Sequence, residues 1–309
     1  MEQFNLKHLG AKVNFITDLP LKEYILKNKA FTEFEGAEVE DGIDENCQYY
    51  VIYKNSGLEN SGVKSGKTKV EISYPISEMD EGSVLYAAAG LFEKQYALKS
   101  RFTCHSACVE KDGQATLFLG DAGAGKTSLA LRLCLDKGYN LLSNDQTVIG
   151  LKNDKLYTFA GTKFINFRYL SVKNNLPDLL YVFDGVDVKD EWSFKKTVHA
   201  RDIGIGLTNE AIIKKVYWVH ATGARQLKVN TANSFGNNIK LYQNLSSHIR
   251  GAATTFHDKK GNQIGFMPSL ETIRTDSNKK DVIEKIKNLD DYTSLSGNIN
   301  DIIDYIENN

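Results

Sequence analysis

The chain has 309 residues, 41% of them hydrophobic and 25% charged, enough for one large domain or two smaller ones. Its 38 lysines and arginines nearly cancel 39 aspartates and glutamates, so no global field draws it to nucleic acid or an anionic membrane. No apolar run approaches the ~20 residues that span a bilayer, and the opening MEQFNLKHLGAKVNF lacks the apolar centre of a secretory leader, so a cytoplasmic location is expected.

Residues 1–82 read as a small β-rich domain. Alternating or β-branched stretches predict strands at Ala11–Ile16, Gln48–Tyr53 and Thr68–Tyr74, and the polar, Gly/Ser-rich Asn55–Lys67 reads as a loop. The acidic Glu78–Glu81 is cap-like, and SVLYAAAGLFEKQYALKS over 83–100 predicts a connecting helix. Residues 101–309 read as an α/β domain. It begins with a short apolar strand Ala115–Leu119, a glycine-rich loop, an amphipathic helix Lys126–Lys137 closed by Gly138, and a strand Tyr139–Leu142. Further strands are predicted at Thr147–Leu151, Lys155–Phe159 and Lys214–His220, and helices at Asp281–Leu289 and Asn298–Ile306. The cysteines at 47, 104, 108 and 134 are sparse and read as buried thiols, with zinc at Cys104, Cys108 and His105 a minor alternative for want of further ligands.

Gly120-Asp121-Ala122-Gly123-Ala124-Gly125-Lys126-Thr127 fits G-x-x-x-x-G-K-[ST], the P-loop or Walker A pattern, with the required strand before it and helix after it. The chemistry needs glycines because the backbone must wrap closely around phosphate oxygens with its N–H groups turned inward, while the helix dipole attracts the same anion. Lys126 would reach the β- and γ-phosphates and the Thr127 hydroxyl would ligate Mg²⁺, with Ser128 beside them. By chance the four fixed positions recur in roughly one chain in a hundred of this length. Nucleotide binding, with ATP and Mg²⁺ as the expected ligands, is therefore preferred to an accidental turn. GTP is the lesser alternative, since no guanine-specificity motif follows the loop, although Ser143 to Gln146 would lie close to the nucleotide. A metal carboxylate is expected on a neighbouring strand, and Asp145 at the end of Leu141-Leu-Ser-Asn-Asp145 supplies it; the alternative is a turn-forming Asn-Asp pair.

The segment from Cys104 to Ile149, CHSACVEKDGQATLFLGDAGAGKTSLALRLCLDKGYNLLSNDQTVI, resembles the catalytic core of the HPr kinase family and its HPr-kinase-like relatives. His105, the loop Gly120–Thr127 and Asn144-Asp145 stand where that family has a histidine opening a strand, its P-loop and an Asp-Asp pair. The resemblance implies a compact P-loop kinase fold of the HPr kinase/phosphoenolpyruvate carboxykinase type, following the small β-rich domain, and transfer of the γ-phosphoryl group of ATP to a hydroxyl. Asn175–Val188 lies where authentic HPr kinases carry an Arg-Gly signature, and the arginine is missing, so HPr itself is not expected as the acceptor. Asn144 replaces the general base and cannot accept a proton at neutral pH. Ser128 stands where HPr kinases often have Glu. His105, with a free pKa near neutrality, is the candidate replacement base; its alternative is a packed strand-end histidine.

Arg250, in Ser246-Ser-His-Ile-Arg250-Gly-Ala-Ala, is the candidate for neutralising transition-state charge from a mobile lid, against a solvated structural role. Lys195, Lys196, His199 and Arg201 form a basic patch, more often a solvated face than an anion site, and His220 ends a strand where α/β sheets place ligands. The expected partners are a hydroxyl-bearing small molecule or peptide, with a homo-oligomer admissible and neither nucleic acid nor membrane involved. Two functions stay open: a Mg·ATP-dependent kinase, and an ATP-binding regulatory or assembly protein that has lost transfer chemistry.

Overall fold

The computed structural model describes residues 1–27, 31, 34–80, 82–221, 226–251 and 255–309. In chain order the elements are β1 (Glu2–His8), β2 (Ala11–Thr17), α1 (Leu21–Lys27), β3 (Glu38–Asp41), β4 (Tyr50–Lys54), β5 (Gly62–Ser65), β6 (Lys69–Ser73) and α2 (Ser83–Ala97). Then follow β7 (Arg101–His105), β8 (Ala107–Lys111), β9 (Gln114–Leu119), α3 (Lys126–Lys137), β10 (Asn140–Ser143), β11 (Gln146–Lys152), β12 (Lys155–Gly161), β13 (Phe164–Arg168), α4 (Tyr169–Asn175) and β14 (Lys195–His199). The last are β15 (Ala211–Ala221), β16 (Lys228–Thr231), α5 (Phe235–Ser246), β17 (Thr255–His257), β18 (Gln263–Phe266), α6 (Ile273–Lys287), β19 (Asp291–Gly297) and α7 (Ile299–Asn308).

The chain divides into two compact units, one of residues 1–103 with 242–282, the other of 104–241 with 283–309. These bounds differ from the expected divisions at 82 and 100 with a single domain over 101–309. The difference has a physical reason in α2, whose Val84, Leu85, Ala88, Leu91 and Phe92 are buried inside the first unit. A helix with so wide an apolar surface cannot serve as an exposed connection.

In the first unit a six-stranded sheet runs β3-β1-β2-β4-β6-β5. β1 and β2 form a hairpin whose Phe4 and Phe15 rings stack at 4.7 Å. The segment 55–67, expected to be a loop, contains β5, which pairs antiparallel with β6; Val63 in its glycine- and serine-rich setting is matched by Ile72 across the ladder.

The second unit is built on a mixed sheet, β10-β8-β9-β15-β12-β11-β7, extended by β19 and β16. β9, β15 and β19 are parallel neighbours. Leu129, Leu133, Ile302 and Ile306, from α3 and α7, share one core with Val109, Phe118, Tyr217 and Leu295 of the sheet. A separate ribbon, β13–β14, adds Ile165 and Phe167 to that core. Among the described residues no helix is long and apolar enough to cross a membrane.

Candidate functional site

β9 ends at Leu119, and the six residues from Gly120 to Gly125 turn the chain into α3. Gly123 and Gly125 have φ of +78° and +89°, a region costly for residues with a Cβ. A Cβ at Gly125 would lie 2.7 Å from that of Ala221, and one at Gly120 would lie 2.6 Å from the Val219 carbonyl oxygen. The end of β15 therefore presses on the loop, and Ala221 N donates to Ala124 O at 2.9 Å. Gly138, φ +71°, caps the other end of α3 as its sequence position implied.

Lys126 is buried, and its Nζ donates to the loop carbonyls of Gly120 (2.9 Å) and Asp121 (3.1 Å). Burial lowers its pKa, while Asp145 and Asp121 oppose that shift. Thr127 Oγ1 donates to Asn144 Oδ1 at 2.7 Å, and Asn144 Nδ2 donates to Phe164 O at 3.3 Å. Asn144 is 4% exposed and does not line the cleft. Its amide is a fixture behind Thr127, donating on one side and accepting on the other as an aspartate could not.

Asp145 takes φ +75°, a conformation tolerated best by Asn and Asp outside glycine. That turn throws its carboxylate outward, away from the path of Asn144. Ser106 N donates to Asp145 O at 3.1 Å, and Ser106 Oγ meets Thr147 Oγ1 at 2.6 Å. This stitching sets the end of β7 against the β10–β11 corner, so that His105 Nδ1 lies 2.8 Å from Asp145 Oδ1, both side chains about half exposed at 49%. His105 is therefore an exposed partner of Asp145 rather than a packed strand-end histidine.

His105, Asp145, Ala122 to Ser128, Asn166, Arg168 and Lys195 line one cleft of about 930 Å³. That is near the upper end of small-molecule sites, roughly 300–1,000 Å³. The donor set suits a hard divalent cation: Thr127 spends its proton on Asn144 and keeps oxygen lone pairs, and a carboxylate has two oxygens, so holding His105 leaves Asp145 able to ligate as well. Two protein oxygens, with the rest from phosphate and water, is the usual supply for Mg²⁺.

Several expectations separate here. Asp121 does not face the cleft; it pairs with Lys240 at 2.8 Å, which lowers its pKa. Arg250 belongs to the first unit, where Glu271 and the Tyr242 hydroxyl each hold it at 2.8 Å, and it is absent from the cleft lining. The stretch expected to be a lid begins inside α5 and continues to Gly251; Ala252 and Ala253 lie outside the described residues, as does Glu81 of the acidic cap. Of the basic patch only Lys195 reaches the cleft, since Lys196 donates to Val182 O and His199 accepts from Arg201 N. His220 is exposed and outside the lining. All four cysteines are buried and unlinked, and burial raises the Cys108 thiol well above its ordinary pKa. Among the described residues no three His, Cys, Asp or Glu side chains cluster as metal ligands. Arg132, Arg168 and the α7 start at Asn298 to Asn300 also line the cleft and were not singled out from sequence. The alternation in Phe164-Ile-Asn-Phe-Arg168, apolar residues inward and Asn166 and Arg168 outward, was the available signal.

No family model matches the chain, and no curated protein matches it. Among solved structures, the Hpr(Ser) kinase/phosphatase from Coxiella burnetii is similar over 41% of this chain and 76% of that one, with 15% identity and a TM-score of 0.27. The relation is a distant structural one.

Proposed function

We propose that this chain is an ATP-dependent phosphotransferase that moves the γ-phosphoryl group to a hydroxyl. The observation that carries the reading is the convergence in one cleft of the glycine loop, Lys126, Thr127 and the His105–Asp145 pair, the last two contributed by separate strand ends. Loop amides and Lys126 would hold the β- and γ-phosphates, and Thr127 with Asp145 would hold Mg²⁺, which would neutralise phosphate charge. Asp145 orients the imidazole of His105, which accepts the proton as the acceptor oxygen bonds to phosphorus and the bond to the departing diphosphate breaks. Asn144 takes no proton; it aims the Thr127 hydroxyl.

The test is incubation of the protein with γ-labelled ATP and a pool of hydroxyl metabolites and peptides. Label should appear in an acceptor, disappear with Lys126→Ala, and slow by about 10²–10⁴-fold with His105→Gln, the usual contribution of a general base. One observation favours a second reading, an ATP-binding regulatory or assembly protein: Asn144 stands buried at the place of the family's acidic base. Tight ATP binding that depends on Lys126, with no label transferred to any acceptor, would establish that reading instead.

A further inference from the structure

The β13–β14 ribbon carries two cations whose placement nucleotide binding does not require. Arg168 and Lys195 are directly opposite one another in the antiparallel ladder. Opposed like charges repel, and sheets ordinarily avoid the pairing. The nearby acids are engaged elsewhere: Glu191 holds Lys173 at 2.9 Å, and Asp190 accepts from Ser193 Oγ and from Trp192 N. Among the described residues neither Arg168 nor Lys195 has an acidic partner, and the guanidinium of Arg168 lies 5.8 Å from the centre of the Trp192 ring. Both cations line the cleft, on the same ribbon face as Asn166. Arg132, the third cation in that wall, is already occupied by Asp136 and the Asn175 carbonyl.

The ribbon also sets a distance. Its first residue, Phe164, accepts the Asn144 amide behind Thr127, and Arg168 follows four residues later, which is about 13 Å of extended chain. The charge of a nucleoside triphosphate lies in its phosphates, at the loop, and its far end is a neutral base. A cation pair displaced along the ribbon is therefore surplus to the nucleotide and matched to a second anion. Two adjacent cations favour a dianion, and a cleft of about 930 Å³ has room for a second small molecule beside a nucleotide.

We propose that Arg168 and Lys195 bind the phosphate group of the acceptor, so that the substrate phosphorylated here is a small hydroxyl compound that already carries a phosphate. The word acceptor rests on the phosphotransferase reading; the anion site rests on the ribbon alone. Asn166, on the same face, would meet the body of that molecule.

The chain has only two tryptophans, and Trp218 is 7% exposed against 66% for Trp192, so fluorescence reports on the Arg168 side. The probes are glycerol 3-phosphate and glucose 6-phosphate, with glycerol and glucose as neutral controls. They are titrated into the Lys126→Ala chain and, because that variant can lose structure at the loop, also into wild type saturated with ADP. The expected result is a saturable change with at least one phosphate ester and none with the neutral pair. The Arg168→Gln/Lys195→Gln double variant should weaken it at least tenfold, keep its melting temperature, and bind a fluorescent ATP analogue within twofold of wild type. The proposal is overturned if no ester titrates, if the neutral compounds bind equally, if the double variant binds the ester as wild type does, or if it loses ATP as Lys126→Ala does. Failure of the phosphotransferase reading looks different: the ester still binds through Arg168 and Lys195 but never accepts label from ATP.

Discussion

Replacing Asn144 with aspartate separates the two accounts of that position. Asn144 is 4% exposed, receives the Thr127 hydroxyl on Oδ1 at 2.7 Å and gives its amide hydrogen to the Phe164 carbonyl at 3.3 Å. An aspartate keeps the first contact and loses the second, setting a carboxylate oxygen against a carbonyl oxygen where there was a hydrogen bond. Losing a buried partner of this kind costs about 1–3 kcal/mol, and desolvating the new charge adds to it. The prediction is a fall of at least about 1 kcal/mol in unfolding free energy, measured by urea denaturation, which is the low end of that range. ATP affinity should stay within a few-fold, because Thr127 retains its acceptor, and phosphoryl transfer should not accelerate. An Asn144→Asp chain as stable as wild type that transfers phosphate tenfold faster would refute the argument. It would show that position 144 addresses the acceptor and that the natural asparagine disables an enzyme.

Gly125→Ala places a Cβ at φ +89° and 2.7 Å from Ala221, so it should cost about 1–2 kcal/mol in backbone strain alone and weaken ATP more than tenfold in a binding titration. ATP affinity unchanged in a folded variant would mean that the loop does not cradle phosphate. His8, buried beside Phe34 and Phe92, has its pKa lowered from 6.5 to about 4, mainly by desolvation. Between those values the unfolded chain binds a proton that the folded chain refuses, so stability falls as pH drops through this window, by on the order of 3 kcal/mol in full. His8→Phe should flatten that part of the stability curve relative to wild type, and parallel curves would count against the burial argument.

What could be read in the sequence was local. The loop and α3 were legible because phosphate chemistry fixes both residue type and spacing, and Gly138 ends the helix where a left-handed residue is needed. β1 is missed because its turn is Leu9-Gly10 with Leu9 at φ +50°, a residue type rarely found there. α6 begins at Ile273, eight residues ahead of the expected Asp281, because its first turns are polar and Ile273 is exposed at 94%. The cleft needed three dimensions. Lys195 is visible as part of a basic patch and Arg168 only as the polar end of an alternating strand, and the ladder register alone sets one against the other. For Arg250 the local sequence, an arginine before glycine and alanines, does not show that the acid holding it lies 21 residues further on.

The partners of the cleft residues also rank the two ends of the site by how easily each receives a ligand. Lys126 is hydrogen-bonded to the carbonyls of its own loop, so a phosphate arriving there must exchange contacts already made. Such exchanges reduce net affinity, because only the difference between new and old contacts is gained. They also make the gain conditional: a triphosphate with its metal supplies enough new charge to draw Lys126 off two carbonyls, whereas a lone weak anion supplies less. Arg168 and Lys195 start from mutual repulsion, so an anion between them relieves an existing cost instead of exchanging one bond for another. The loop end is accordingly selective and the ribbon end receptive. On the proposed function, such a cleft would admit the small anion by itself and the nucleotide only with its full complement of charge.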